Sequence, residues 1–317
     1  MKLSLVNYAL IPSLFLSAIA LAGEKIDKSI SVPMDGKIII ENDRGDVEIR
    51  AWEKAEFKVT GELDDLAKGY RLETVGNVTE FIVDLPRNRN WNNEGEGSQL
   101  VIYLPAKSVL NFEGVNVNVS VRDMLNNTRV KTVNGDVNAQ QLKGILHLAT
   151  VNGGVKTQNL DGEIHLETVN GDIRDTASKG TLRFNAVNGD IKSETQAHTI
   201  KFENVNGDVE FKIASLKELD FNTVNGEAQI YVDALEKGGR INMNSVSGDI
   251  DLYLPKAVSA NFDIQTHSGG SIRNGFNDEK ATKAKYTSAR RLKFISNGGN
   301  ADVEIDTVSG NISLKQR

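Results

Sequence analysis

A chain of 317 residues with 25% charged and 39% hydrophobic side chains has globular composition, which argues against an extended disordered polymer. Its formal charge of −6 gives no reason to expect nucleic acid, whose phosphates call for a basic surface. With 28 glycines, five prolines and no cysteine, many tight turns are expected, and disulfides, cysteine-held metals and lipid-modified cysteines are excluded.

Residues 1–22 pair Lys2 with an apolar run and end in Ala20-Leu21-Ala22 before Gly23, the pattern of a signal peptide cleaved near Ala22. The alternative is an uncleaved anchor, but the run is short against the ~20 residues that span a bilayer. No later stretch is apolar enough to span a membrane, so the mature protein is expected in the periplasm, at the cell surface or secreted. Residues 23–113 read as irregular β-structure: "KSISVP", "KIIIEN", "GDVEIRAW", "EFKVTGEL", "TEFIVDLP" and "SQLVIYLP" are strands between turn residues. Within them Arg44-Gly45-Asp46 spells a cell-attachment tripeptide, but it stands where other units have an Asn-Gly-Asp turn. Trp91, among polar residues, could stack on a sugar or cover a loop.

From residue 114 the chain becomes periodic. "TVNGDV" at 132 returns with variations at 150, 168, 186, 204 and 223. Asn134, Asn152, Asn170, Asn188 and Asn206 lie 18 residues apart, Asn225 follows after 19, and Ser247 takes the place after 22. Such a fixed period marks stacked units, none of which can bury its apolar face alone. Leu146, Ile164, Leu182 and Ile200 form one apolar column, and Leu148, Leu166, Phe184 and Phe202 a second. His147, His165, Arg183 and Lys201 fall between them and should face water, a period of two that indicates strand. Val151, Val169, Val187 and Val205 are expected as a third buried column, and Val137, Val155, Ile173, Ile191 and Val209 as a fourth. The prediction is an all-β chain folded as a single β-solenoid of ~18-residue coils, each strand pairing with its copies ~4.8 Å away.

Two further features follow in chain order. "IYLPAKSVLNF" (102–112) is echoed by "LYLPKAVSANF" (252–262), which ties the irregular part to the array and favours one continuous domain. After "THSGGSI" the rhythm breaks, and residues 273–293 carry Arg273, Lys280, Lys283, Lys285, Arg290, Arg291 and Lys293 against only Asp278 and Glu279. "GGNADVEIDTVSGNISL" (298–314) then restores the pattern.

The repeated turn admits two readings. Asn-Gly tolerates positive φ, and stacked asparagines can hydrogen-bond along the axis, so Asn134, Asn152, Asn170, Asn188, Asn206 and Asn225 are expected to form a structural ladder. Asp136, Asp172, Asp190, Asp208 and Asp249 could instead line up for calcium, though Gly154 and Glu227 interrupt them. His147 and His165, one period apart, could share a metal or simply lie on a solvated strand.

The turns "VNGDI" and "VSGDI", the "YLP" strands and the closing "GGNADVEIDTVSGNISL" resemble the bacterial putative-adhesin domains, a family of exported and envelope proteins of uncertain function. The resemblance covers roughly residues 30 to 317. It implies a non-enzymatic β-solenoid and transfers no site residues. The sequence itself offers no cysteine nucleophile, H-E-x-x-H, G-x-S-x-G or phosphate-binding glycine loop, and no cofactor is expected. The expected function is therefore an adhesin-like binding or structural scaffold of the cell envelope. Its binding residues are expected in the basic insertion, at Lys283, Lys285, Arg290 and Arg291, facing an acidic polysaccharide, lipid headgroup or protein. A polysaccharide-active enzyme is the rival, with Lys156, Arg174 and Lys192 as a second cationic stripe. A self-assembling envelope protein is a third reading, but end segments that look like caps favour a monomer.

Overall fold

The computed structural model describes residues 23–86 and 95–317. Residues 1–22, where a signal peptide is expected, and Trp91 lie outside the described residues. Within them all regular structure is strand, arranged in one sheet of 14 strands and one of 15. The chain crosses alternately between them. Lys143–Asn152 belongs to the larger sheet, Val155–Gln158 to the smaller, and Asp161–Asn170 to the larger again. Neighbouring strands are parallel through the array and pair Leu146 with Ile164, Ile164 with Leu182, and Val155 with Ile173. One strand from each sheet at the same level makes a rung.

Alternation along each strand sends every second side chain into the space between the sheets. Leu148, Leu166, Phe184 and Phe202 enter from the larger sheet, and Val137, Val155, Ile173, Ile191 and Val209 from the smaller. Phe211 bridges the two, tilted at 5.3 Å from Phe184 and edge-on at 5.4 Å from Phe202, which itself stacks on Phe221 at 4.4 Å. Such offset and edge contacts let large rings fill the interior without voids.

One column differs from expectation. Val151, Val187 and Val205 are each 38% exposed, and Val133, Val224, Val246 and Val308 are exposed as well. The strand keeps its parity past Phe184, so Thr150, Thr168 and Ala186 point inward and the valines outward. The threonines tolerate burial because their hydroxyls have partners. Thr150 Oγ1 donates to Gly135 O at 2.9 Å and Thr168 Oγ1 to Gly153 O at 3.0 Å, each tying a rung to the turn of the rung before it. Asparagine also differs from expectation: positive φ at the Asn-Gly turns belongs to glycine alone. Gly189 (φ 152) illustrates why, since a Cβ there would lie 1.9 Å from Gly171 O. Four left-handed non-glycine residues, Asp123, Gln141, Asn159 and Ala177, sit at the opposite corner of successive rungs, and a fifth, Asn297, lies in the turn after the end strand.

Both ends depart from simple stacking. Arg44–Trp52 lies between Ser98–Pro105 and Asn116–Arg122, although both follow it in the chain. Asp302–Thr307 lies between Leu235–Ser247 and Ala260–Thr266, although both precede it. The echoed segments are the steps across these inserted rungs. Ser98–Pro105 leads to Val109–Glu113 past the first rung, and Ile250–Leu254 leads to Ala260–Thr266 past the last. The two steps share a turn, with Ser108 N donating to Pro105 O and Val258 N to Pro255 O, both at 3.0 Å. Antiparallel strands cover the ends: Glu56–Glu62 and Lys25–Ser31 at one, Arg290–Ser296 and Thr282–Lys283 at the other.

Candidate functional site

The Asn-Gly turns align along one edge of the stack. Asn152 Nδ2 donates to Asn134 Oδ1 at 2.7 Å, Asn170 to Asn152 at 2.9 Å, and Asn188 to Asn170, Asn206 to Asn188 and Asn225 to Asn206 at 3.0 Å each. Asn134 continues the line to Asn116. The row is exposed, so water competes for every one of these bonds. Beside it, Asp172 Oδ1 accepts the backbone N–H of Asp190 at 3.1 Å, Asp190 that of Asp208 at 2.9 Å, and Asp208 that of Glu227 at 2.9 Å. Asp136 accepts from Gly154 and Asp249 from Asn311 in the same way. One oxygen of each of these carboxylates is thus used by the backbone of the next rung, and the turn explains the aspartates without a cation.

Residues 273–293 sit over the end that carries the inserted last rung. Arg291 grips Asp263 with two hydrogen bonds, at 2.8 and 2.5 Å, and Lys293 reaches the same carboxylate at 2.8 Å. These cations hold the Asp263 carboxyl below its usual range, the Arg291 hydrogen bonds contributing most. Arg290 Nη1 donates to Gly270 O at 2.7 Å. Arg290 and Arg291 therefore fasten the end strand to the stack, whereas Lys283 and Lys285 are exposed, the latter over the Tyr286 ring at 5.2 Å. An open depression of about 580 Å³ is lined by Asn274, Asp278, Glu279, Lys280, Lys283 and Arg290.

On the outer face of the larger sheet, His147 and His165 occupy directly paired positions and stack at 4.7 Å with their rings 5° apart. Burial is the first cause that lowers both imidazole pKa values, and it is reinforced by Arg129 beside His147 and by the neighbouring imidazole beside His165. His147 Nε2 lies 3.3 Å from Glu167 Oε2. Sequence reasoning placed the two histidines together but missed Glu167, whose signal is its position two residues along the same face. Of the second cationic stripe, Arg174 pairs with Asp172 and Lys192 with Glu210. Arg44-Gly45-Asp46 is likewise engaged internally: Arg44 Nη2 donates to Gly95 O at 2.7 Å, and Asp46 accepts from Gln99 and Asn118 at 2.9 Å each.

No curated protein matches the chain. Among solved structures it is similar to a Parabacteroides distasonis protein described as a putative lipid binding protein (15% identity, 92% of this chain and 97% of that one, TM-score 0.43). It is also similar to a putative adhesin of Bacteroides fragilis (13% identity, 92% and 97%, TM-score 0.35). A putative adhesin of Parabacteroides distasonis is a third (13% identity, 92% and 97%, TM-score 0.41). The Toastrack DUF4097 family matches residues 36–315, from the first inserted rung through the last, and the chain belongs to that family.

Proposed function

We propose that the chain is a single β-solenoid of ~18-residue coils, with residues 23–113 as its irregular beginning and 114–317 as its regular body. It serves as an exported, non-catalytic, adhesin-like binding scaffold of the bacterial cell envelope, released near Ala22 to the periplasm or surface. The observation that carries this reading is the placement of charge. In a chain of net charge −6, Lys280, Lys283 and Lys285 stand exposed at one end of the stack, while Arg290 and Arg291 are spent on holding that end together. An exposed cluster in which basic side chains outnumber Asp278 and Glu279, set at the end of a rigid scaffold, attracts a partner of the other sign. That partner is an acidic envelope component, whether polysaccharide, lipid headgroup or protein face. Antiparallel strands over both ends favour a monomer over end-to-end assembly.

The test replaces Lys280, Lys283 and Lys285 with serine and leaves Arg290 and Arg291 in place. The variant should melt with wild type and bind anionic polysaccharide or anionic vesicles more weakly. Wild-type binding should fade with added salt. Equal binding by both proteins at low salt removes the basic end as the interaction site, and turnover of the polysaccharide favours the enzyme reading.

A further inference from the structure

We propose that His147, His165 and Glu167 form a site for a divalent transition-metal ion of the zinc class on the outer face of the larger sheet. The ligand atoms all lie within 4.8 Å of one another. Neighbouring parallel strands place the two imidazoles side by side, and alternation returns the chain to the same face at Glu167. Internal bonding accounts for His147 but not for His165. His165 Nε2 is sealed from solvent and has no hydrogen-bond partner, an arrangement that costs free energy unless something ligates or bonds it. Two imidazoles and one carboxylate are a zinc-type donor set that leaves a coordination position open, whereas calcium and magnesium prefer all-oxygen sites.

The geometry also shows what opposes the ion. Imidazole lone pairs lie in the ring plane, and planes only 5° from parallel do not converge on one ion, so the stacked rings must turn toward each other about their side-chain bonds. Arg129 Nη1 lies 3.2 Å from His147 Nδ1, and arginine can only donate. Nδ1 is therefore the acceptor, and the proton of the neutral ring sits on Nε2, facing Glu167. Metal binding at Nε2 sends that proton to Nδ1 and breaks the Arg129 hydrogen bond. Lys131 and Arg183 add positive charge nearby, and Glu167 and Glu203 offset it. Arg129 is thus a built-in competitor, and its removal should improve the site.

The probe is zinc chloride titrated calorimetrically into the whole chain in chelator-free buffer, with cobalt absorption as an independent readout of the ligand set. Wild type should take up one equivalent. His147→Ala and His165→Ala should each weaken binding by at least the ~10–100-fold that even an outer-shell partner is worth. Arg129→Ala should tighten it about tenfold, since one nearby positive charge and one competing bond are lost. Melting temperatures near wild type establish that the variants fold, and His165→Asn serves as a second variant if alanine does not. No saturable uptake by wild type, or unchanged uptake in the His147→Ala/His165→Ala double variant, overturns the proposal. So does weaker binding in a folded Arg129→Ala.

Discussion

Thr168 is 1% exposed and spends its hydroxyl on Gly153 O, 3.0 Å away in the preceding turn. Replacing it with valine keeps the shape and trades the hydroxyl for a methyl. Were the hydroxyl idle, valine would be the better residue in a buried site, because it carries no polar group out of water. With the bond present, the exchange loses a hydrogen bond worth about 0.5–1.5 kcal/mol and deprives a half-buried carbonyl of its donor, for a net loss of about 1–2 kcal/mol. The neighbouring rung gives the converse. Ala186 pairs with Thr168 in register and has no hydroxyl to offer Gly171. Ala186→Thr should therefore stabilise by about 1 kcal/mol, and more than Ala186→Val does. Urea midpoints followed by both circular dichroism and fluorescence measure this, and agreement of the two probes is the condition for reading them as free energies. If valine equals or exceeds threonine at both positions, the hydroxyl does not tie the turns together.

Four other outcomes are expected. Ala177 holds φ 59 where a Cβ is unfavourable, so Ala177→Gly should raise the melting temperature by the equivalent of about 1 kcal/mol, whereas the same change at Asn159 should do little. Asp175 is buried, and burial raises its carboxyl pKa against the opposing hydrogen bonds from Ser178, Thr157 and Ser193. A carboxyl whose folded pKa exceeds its unfolded one favours the fold most at low pH and loses that contribution as pH rises through the folded value. Asp175→Asn should therefore gain on wild type as pH rises above the ordinary carboxylate range, and a constant difference in urea midpoint contradicts this. Val187→Asp should cost under about 0.5 kcal/mol and Ala186→Asp several, so equal melting temperatures would reverse the assignment of inside and outside. Asn170→Ala removes one donated and one accepted side-chain bond from an exposed row and should cost about 0.5–1 kcal/mol by thermal melting.

The periodic half of the fold was legible because its signal is redundant. Leu148, Leu166, Phe184 and Phe202 repeat at one spacing, and a register slip of one residue would expose all of them. The turn valines misled because hydrophobicity alone argues for burial. Thr168 is the better inner residue only by virtue of Gly153 O, a carbonyl supplied by another rung and invisible locally. The left-handed corner had only half a residue signature, since Asp123 and Asn159 are types that tolerate positive φ but Gln141 and Ala177 are not. Basic residues of the insertion were visible as charge. That Arg290 and Arg291 are engaged within the chain depends on Gly270 and Asp263, which only the strand pairing brings near. Of the histidine cluster, the spacing of 18 residues gave the pair, and the period of two along the strand was the one local sign that Glu167 shares its face.

The step past the last rung has a consequence for how the chain is made. A ribosome delivers Leu235–Ser247 and Ala260–Thr266 before Asp302–Thr307 exists, yet those two strands end up separated by it. Until the closing residues arrive, the two must stand about two strand spacings apart, ~9.6 Å, or pair provisionally and part again. Either state leaves hydrogen-bonding edges bare and Val303, Ile305, Ile312 and Leu314 missing from the interior. A chain that stops early should therefore lack more than one rung's worth of contacts, because the clamp over its end loses its footing as well. Delivery of residues 302–316 and the sealing of that end become the same event, and proteases that attack open edges would remove copies lacking those residues while sparing copies that have them.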